Sequence, residues 1–306
     1  MNQDRPLLGI ALMTGFTLTA PLMDAFAKLS SAEIPVGQIV ATRFAIQAMI
    51  LLPIAWALSD LSRPSLRDMG LHLLRAALIL TATMAFFGAL QFMPIADAIA
   101  IFFVEPFILT LLGALFLGEQ IGWRRLAACA VGFAGALLII RPSFSVFGPV
   151  ALLPLLTALC FALYMVTTRQ IARRLSAVAL QSWTALAACI LVAPLLALGT
   201  LGGADFLTPV MPQGRFWLFL LAVGLIASAS HLMISAALGF APAATLAPLQ
   251  YLEIVTATLF GYLIFNDLPD SQTFAGIALI AASGFYVFLR ERRLERESLP
   301  APPPPA

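Results

Sequence analysis

The sequence predicts an all-α membrane protein with ten transmembrane helices, formed by two inverted five-helix repeats with both termini in the cytoplasm. Three observations predict this architecture: the composition, the spacing of the apolar runs and a weak internal repeat. Of the 306 residues, 61% are hydrophobic and only 10% are charged, and the mean hydropathy is +0.98. A soluble domain carries roughly 25% charged residues, so the lipid bilayer is an expected partner of this chain. The net charge of +2 does not indicate a nucleic-acid partner.

The apolar runs have about the length of 20 residues that a helix needs to cross the hydrocarbon. They lie near residues 7–27, 36–58, 72–91, 94–117, 124–140, 148–168, 177–198, 216–238, 242–265 and 273–289. The first run follows a weakly charged start, and we interpret it as a retained span rather than a cleaved signal peptide. The tail at 290–306 is charged and then rich in proline, which predicts a disordered cytoplasmic segment.

The positive charges are distributed unevenly between alternate loops, and lysine and arginine are retained on the cytoplasmic side. With a cytoplasmic N-terminus, thirteen of them fall on that side: Arg5, Arg63, Arg67, Arg75, Arg124, Arg125, Arg169, Arg173, Arg174, Arg290, Arg292, Arg293 and Arg296. Only Lys28, Arg141 and Arg215 fall on the other side, and Arg43 lies within the second span. Both termini are therefore predicted to be cytoplasmic, which requires an even number of spans.

The second half of the chain repeats the first. A shift of 148 residues places Pro94 on Pro242 and Glu105 on Glu253, among further matches to Leu, Phe, Ala, Thr and Gly. A unit of five spans is odd, so the second copy must cross the bilayer in the opposite direction. The loop charges agree, because "GEQIGWRR" is basic and its counterpart "NDLPDSQT" has no Lys or Arg. Inverted repeats are common in secondary transporters, whose substrate sites lie near the midplane between the repeats.

Two segments carry a resemblance to a known family. "PIADAIAIFFVEPFILTLLGALFLGEQIGWRRLAACAVGFAGALLIIRP" and its weaker echo "PAATLAPLQYLEIVTATLFGYLIFNDLPDSQTFAGIALIAASG" resemble the drug/metabolite transporter superfamily, EamA type. The resemblance implies one EamA-type repeat at 7–140 and an inverted second repeat at 148–289. In the second copy, Asn266-Asp267 replaces the usual Gly-Glu. The resemblance also implies a transporter of amino acids, amines, vitamins, nucleotide-like compounds or drugs, without an ATP-binding module.

Glu105 and Glu253 are the main candidates for coupling or substrate contact. An ionised carboxylate in mid-bilayer costs about 2.5–3.5 kcal/mol on insertion scales, so it must pair, protonate or line water. One interpretation is a proton-coupling or substrate-amine site, and the other is a protonated Glu bonded to a neighbouring helix. Asp97, Ile101 and Glu105 follow an i, i+4, i+8 spacing, which places both carboxylates on one helix face. Asp97 also suits a plain role as an acid at a helix start.

Two further charges lie within the first two spans. Asp24 is a candidate for the cavity, or it pairs with Lys28 at i+4. Lys28 lies close to the end of its span and can extend to the headgroups. Arg43 could bind a substrate carboxylate or offset an acid, or it could extend to the headgroups in the same way.

Polar residues in other spans complete the candidate set. The repeat aligns His231 with Thr83, so two equivalent helices offer polar groups at similar depth. His231 could relay a proton, or it could be a neutral histidine bonded within the bundle. Gln250 and Tyr251 flank the Glu253 region, where Pro248 removes a backbone hydrogen bond. Tyr164 is a further candidate for the cavity lining.

The predicted function is secondary transport of a small-molecule substrate by alternating access, either coupled to protons or driven by exchange. An intramembrane enzyme would need a nucleophile–base cluster or a motif such as "HExxH", and neither is present. A non-transporting scaffold would give no reason for matching acids in mid-membrane. No cofactor and no metal are expected. The short loops suit a bacterial inner membrane, and the chain is expected to act as a monomer or homodimer.

Overall fold

The structure is a computed structural model, and it describes residues 6–61, 65–117, 123–171, 175–240, 246, 249–250 and 252–298. These residues form an all-helical bundle, with no strand among them. The helices are α1 (Pro6–Ser30), α2 (Val36–Ala57), α3 (Leu66–Leu90), α4 (Ile95–Phe102), α5 (Glu105–Leu117), α6 (Trp123–Phe147), α7 (Leu152–Ile171), α8 (Ala177–Leu201), α9 (Phe216–Phe240), α10 (Leu252–Phe265) and α11 (Ser271–Ser298). Short 3₁₀ turns, Gly148–Ala151 and Asp205–Leu207, precede α7 and follow α8.

Six helical segments of the described chain are long and apolar enough to cross a membrane. They are Leu7–Ser30, Val36–Ala57, Asp68–Leu90, Phe144–Thr168, Ala177–Leu201 and Phe216–Phe240. Two shorter apolar segments follow, Leu252–Phe265 and Ser271–Ser283. The chain is therefore a multi-pass membrane protein.

Several helices begin at the residues that local chemistry favours. Ser65 and Ser176 cap α3 and α8, because their side-chain oxygens accept hydrogen bonds from the backbone N–H three residues later. The α2 and α4 helices begin directly after Pro35 and Pro94, which cannot donate a backbone hydrogen bond themselves. Asp97 lies in the first turn of α4, where a negative charge faces the positive end of the helix dipole.

The fourth predicted span is not one helix. The chain leaves helical geometry at residues 103–104, between the end of α4 and the start of α5. Pro106 lies in the first turn of α5 and has no N–H to continue the hydrogen-bond ladder from α4, whereas a helix start tolerates that loss. The i, i+4, i+8 spacing of Asp97 and Glu105 therefore does not describe one continuous face.

The predicted disordered tail also differs in part from the structure. Residues 290–298 continue α11 as helix, and 299–306 lie outside the described residues. The segment "RERRLERES" consists mostly of good helix formers, and the first proline comes only at Pro300. The charged first part of the predicted disordered tail is therefore helical up to Ser298.

The helices pack in a pattern of pairs. The closest pairings are α1 with α9, α3 with α7, α2 with α8, and α6 with α11. Small residues allow the last pair to approach, because a Cβ added at Gly135 would lie 3.0 Å from the carbonyl oxygen of Gly276. These pairings surround a central region to which both halves of the chain contribute.

Candidate functional site

A cavity lies at the centre of the bundle and is walled by residues of both halves. Its volume is about 80 Å³, measured as the space that the centre of a water molecule can occupy. Its lining residues are Phe16, Ala20, Met23, Asp24, Arg43, Ile79, Ala82, Thr83, Phe86, Phe87, Phe102, Phe103, Thr157, Phe161, His231, Gln250 and Glu253. The wall is thus mostly aromatic and aliphatic, with a small number of charged and polar groups.

Arg43 joins the two repeat-aligned residues of the cavity wall. Its guanidinium donates from Nη1 to Thr83 Oγ1 at 2.6 Å, and its Nη2 lies 2.8 Å from His231 Nε2. Arginine carries no acceptor, so His231 must present an unprotonated Nε2 to this contact and is therefore neutral. Arg43 is only 1% exposed and does not extend to the headgroups. His231 acts here as an acceptor within the wall.

Three acids approach the cavity from different helices. Asp24 on α1 and Glu253 in the first turn of α10 both line it, and both are buried. Glu105, in the first turn of α5, is buried behind the wall rather than in it, and its Oε1 has no hydrogen-bond partner among the described residues. Glu253 lies within electrostatic reach of the other two acids. Of the two repeat-related glutamates, only Glu253 is therefore part of the cavity wall.

Lys28 does not pair with Asp24, in contrast to one of the two predicted alternatives. Its ammonium donates to Met93 O at 3.0 Å and to Asp267 Oδ2 at 3.3 Å. The Asp267 contact is the one ion pair within 4.0 Å that the described part of the chain contains. The pairing follows from the bundle geometry, because the end of α1 meets the loop after α10. Lys28 thereby fastens the first half of the chain to the second at one end of the bundle.

A loop carboxylate near this end caps the last helix. The backbone N–H of Thr273 donates to Asp270 Oδ1 at 2.6 Å and lowers the pKa of that carboxyl from its ordinary value. This bond satisfies an N–H of the first turn of α11 that has no partner within the helix. Asp270 is exposed and lies outside the membrane spans.

A second polar cluster closes the other end of the bundle, and its centre is Arg75. This residue is fully buried within α3, so its assignment to a cytoplasmic segment was wrong. Its guanidinium donates to Thr168 Oγ1 at 2.8 Å, to Leu180 O at 3.1 Å, to Tyr164 Oη at 2.6 Å and to Thr184 Oγ1. All four acceptors belong to the second half of the chain.

Gln181 extends this cluster towards the cavity. Its Nε2 donates to Tyr164 Oη at 3.1 Å, to Ser235 Oγ at 2.7 Å and to His231 O at 3.3 Å, and its Oε1 accepts from Gln47 at 3.1 Å. Tyr164, predicted as a lining residue, lies in this network instead of the cavity wall. Gln250 does line the cavity, and Tyr251 lies outside the described residues.

Arg75, Gln47 and Gln181 were missed by the sequence analysis. Arg75 had been assigned to a cytoplasmic segment, and Gln47 and Gln181 are uncharged residues within predicted spans. The sequence feature that could have indicated this cluster is an arginine two turns inside a helix, together with Thr and Tyr residues in other spans. Among the described residues, no group of three His, Cys, Asp or Glu side chains is arranged to hold a metal ion.

The chain matches the model of the EamA-like transporter family twice, over residues 7–141 and 148–289. The pseudopaline exporter of Pseudomonas aeruginosa strain UCBPP-PA14 is 30% identical over 276 residues, which cover 90% of this chain and 93% of the relative. The riboflavin transporter of Rhizobium johnstonii is 31% identical over 246 residues, which cover 77% of this chain and 79% of the relative.

A solved crystal structure of another protein has a similar fold. It superimposes with a TM-score of 0.65 at 22% sequence identity, over 92% of this chain and 98% of that chain. At this identity the likeness shows the fold alone. The two family matches together cover nearly the whole sequence. This protein therefore belongs to the EamA-like transporter family and is a transporter rather than an enzyme.

Proposed function

We propose that this protein is a secondary transporter that carries a small metabolite across a bacterial inner membrane by alternating access. The observation that carries the proposal is the central cavity, whose wall combines Asp24 and Arg43 from the first half with His231 and Glu253 from the second. The relatives named as exporters or transporters of pseudopaline and riboflavin support a small organic substrate.

The moving parts in this proposal are two inverted five-helix units, at 7–140 and 148–289, which together give ten spans with both termini in the cytoplasm. The repeat relates α1 to α7 and α3 to α9. The contact of α1 with α9 is then equivalent to the contact of α7 with α3, and both are present in the structure. A two-fold relation between the repeats requires such a pair of equivalent contacts. The α2–α8 and α6–α11 pairs each join equivalent helices, which agrees with the same relation.

Alternating access requires a closure on each side of the cavity that can open separately. The contact of Lys28 with Asp267 joins the halves at one end. The contacts of Arg75 with Tyr164, Thr168 and Thr184 join them at the other. Both sets of contacts are present together in the structure. Breaking one set while keeping the other would open the cavity to one side at a time.

Glu105 and Glu253 are the residues that we propose for coupling. Glu105 lies in the first turn of α5, directly after the helix break at residues 103–104, and Glu253 lies in the first turn of α10. Discontinuous helices of this kind place backbone ends and charges at transporter sites. A proton shared between neighbouring buried carboxylates would link their charge to the occupancy of the cavity.

The test is counterflow in liposomes that contain the purified protein. Riboflavin, methionine and putrescine serve as probes, with and without a proton gradient. The proposal predicts saturable counterflow of at least one probe and a loss of at least tenfold in the variants Glu105→Gln or Glu253→Gln. The matched control is Glu33→Gln, because Glu33 is an exposed loop acid. Full flux in both glutamine variants would remove the coupling role, and no counterflow of any probe would contradict the proposal itself.

A further inference from the structure

We infer that the transported substrate is a zwitterion with a small apolar body, whose anionic group is held by Arg43 and whose cationic group is held by Glu253 and Asp24. This inference rests on the proposed transport function. It assigns the two ends of the substrate to two separate charged parts of one cavity wall. It also makes these residues determinants of specificity rather than supports of the bundle.

Arg43 contacts no anionic group of the described part of the chain. Its two terminal nitrogens contact only neutral groups, Thr83 Oγ1 and His231 Nε2. Its Nε is buried without a hydrogen-bond partner among the described residues. No carboxylate of the described chain lies within 4.0 Å of this guanidinium. A buried cation without a counter-ion is strongly unfavourable, and a carboxylate or phosphate of the substrate would neutralise it with charge-assisted hydrogen bonds.

Two acids, Asp24 and Glu253, line the same cavity. Asp24 and Glu253 are 4% and 7% exposed, and neither forms an ion pair within the described part of the chain. Both carboxyl groups line the same cavity as Arg43. Two neighbouring acids favour a cation between them. An ammonium group of the substrate would satisfy both.

The remainder of the cavity wall is mostly apolar. Six phenylalanines line it: Phe16, Phe86, Phe87, Phe102, Phe103 and Phe161. A volume of about 80 Å³ is several times the roughly 10–15 Å³ that a cavity needs to hold one water molecule. This space fits a solute of amino-acid size whose middle or side group is apolar.

The opposite charges favour a zwitterion over a simple ion. A substrate with only an anionic group would leave the two acids without a cationic partner. A substrate with only a cationic group would leave Arg43 without a counter-ion. A zwitterion neutralises both sites at once.

The experiment uses four charge forms of the same molecule. The zwitterions methionine and phenylalanine are each compared with three derivatives. The methyl ester is cationic, the N-acetyl derivative is anionic, and the N-acetyl methyl ester is neutral. Competition against counterflow and ligand-dependent thermal shifts are measured on the wild-type protein. We expect both zwitterions to bind at least tenfold more tightly than each of their derivatives.

Two variants then assign the charges. Arg43→Gln should remove the advantage of the free amino acid over its methyl ester, and Glu253→Gln should remove its advantage over the N-acetyl form. Arg215→Gln is the matched control, because Arg215 is an exposed cation that contacts Phe216 and Phe219 away from the cavity. The wild-type comparison remains decisive if a variant does not fold.

Several outcomes would overturn the inference. Equal binding of the ester or the N-acetyl form would show that one charged group is dispensable. Binding of neither amino acid, together with counterflow of riboflavin or putrescine, would contradict the zwitterion and leave the transport function intact. Absence of all counterflow would contradict the transport function as well.

Discussion

At the scale of single residues, the protein places charges in the membrane and gives each a different environment. Arg75 is surrounded by four neutral acceptors, whereas Arg43 has two neutral partners and an Nε without a hydrogen-bond partner among the described residues. Buried polar groups are stable only with hydrogen bonds, so the partners of these arginines are as important as the arginines themselves. Thr83 is such a partner, since its hydroxyl both accepts from Arg43 and donates to Ile79 O.

Thr83→Val should therefore destabilise the protein by about 1.5–3 kcal/mol, the usual contribution of a hydrogen bond to a charged group. The substitution preserves the shape of the side chain but removes the acceptor for Arg43 Nη1. Thermal unfolding in detergent measures the effect. Thr81→Val is the control, because Thr81 is exposed on the same helix. Equal midpoints for the two variants would show that the Arg43 contact does not contribute.

The sequence predicted part of this arrangement. The repeat placed Thr83 and His231 at similar depth, and the structure joins them through Arg43. The sequence could not show that Glu253 lines the cavity and Glu105 does not. The helix break at residues 103–104 changes the orientation of Glu105, and hydropathy does not detect such a break. It also missed Arg75, since distance along the chain from a loop does not indicate which helix packs against its side chain.

At the scale of the elements, helix ends and glycine contacts determine how the bundle closes. The α6–α11 pair depends on Gly135, where an added Cβ would lie 3.0 Å from both Gly276 O and Ile280 Cγ1. A backbone oxygen cannot move aside as a flexible side chain can. Close backbone approach at small residues is a main source of helix association in membranes.

Gly135→Ala should destabilise the protein by about 1–3 kcal/mol, as expected for overpacking. Gly88→Ala is the matched substitution, because its Cβ would meet only Leu153 Cδ1 at 3.7 Å. That variant should be neutral or slightly more stable, since alanine favours helix over glycine by about 1 kcal/mol. Thermal unfolding of both variants checks the contrast. A Gly135→Ala protein as stable as Gly88→Ala would exclude close packing at this contact.

The Asp270 cap gives a pH-dependent prediction. Its pKa is lowered in the folded state, so its ionised form stabilises the fold at neutral pH, and this contribution is lost as the pH falls through the folded pKa, below 3.8. Asp270→Ala should destabilise the start of α11 by about 1 kcal/mol at neutral pH.

The difference between Asp270→Ala and the wild type should shrink at a pH below 3.8. Thermal unfolding at neutral pH and at a pH below 3.8 measures this difference in stability. The control is Glu33→Ala, which removes an exposed acid elsewhere. A difference that is the same at both pH values would show that the charge of Asp270 is not involved in the cap.

At the scale of the whole molecule, polar contacts join the two halves on both sides of a shared cavity. Lys28 and Asp267 are 239 positions apart in the chain but 3.3 Å apart in space. The hydropathy profile predicted the six helical segments that are long and apolar enough to cross a membrane. It could not predict such pairs, because they depend on how the halves dock and not on the composition of either half.

A double-mutant cycle tests this docking contact. Lys28→Gln and Asp267→Asn should be coupled by about 0.2–1 kcal/mol, the range of partly exposed ion pairs. The same cycle with Lys28→Gln and Asp270→Asn should show no coupling, because Asp270 caps α11 instead. Additive effects for both pairs would exclude the Lys28–Asp267 contact in the membrane.

The central claim is that the two halves lie in opposite orientations around the cavity. Single cysteines at Leu268 and Arg125, introduced into a protein in which Cys129, Cys160 and Cys189 are replaced by alanine, test it most directly. A membrane-impermeant thiol reagent applied to intact cells should label the cysteine at 268, and it should label the cysteine at 125 only after the cells are opened. Labelling of both cysteines in intact cells, or of neither until the cells are opened, would contradict the inverted arrangement and the alternating-access mechanism that depends on it.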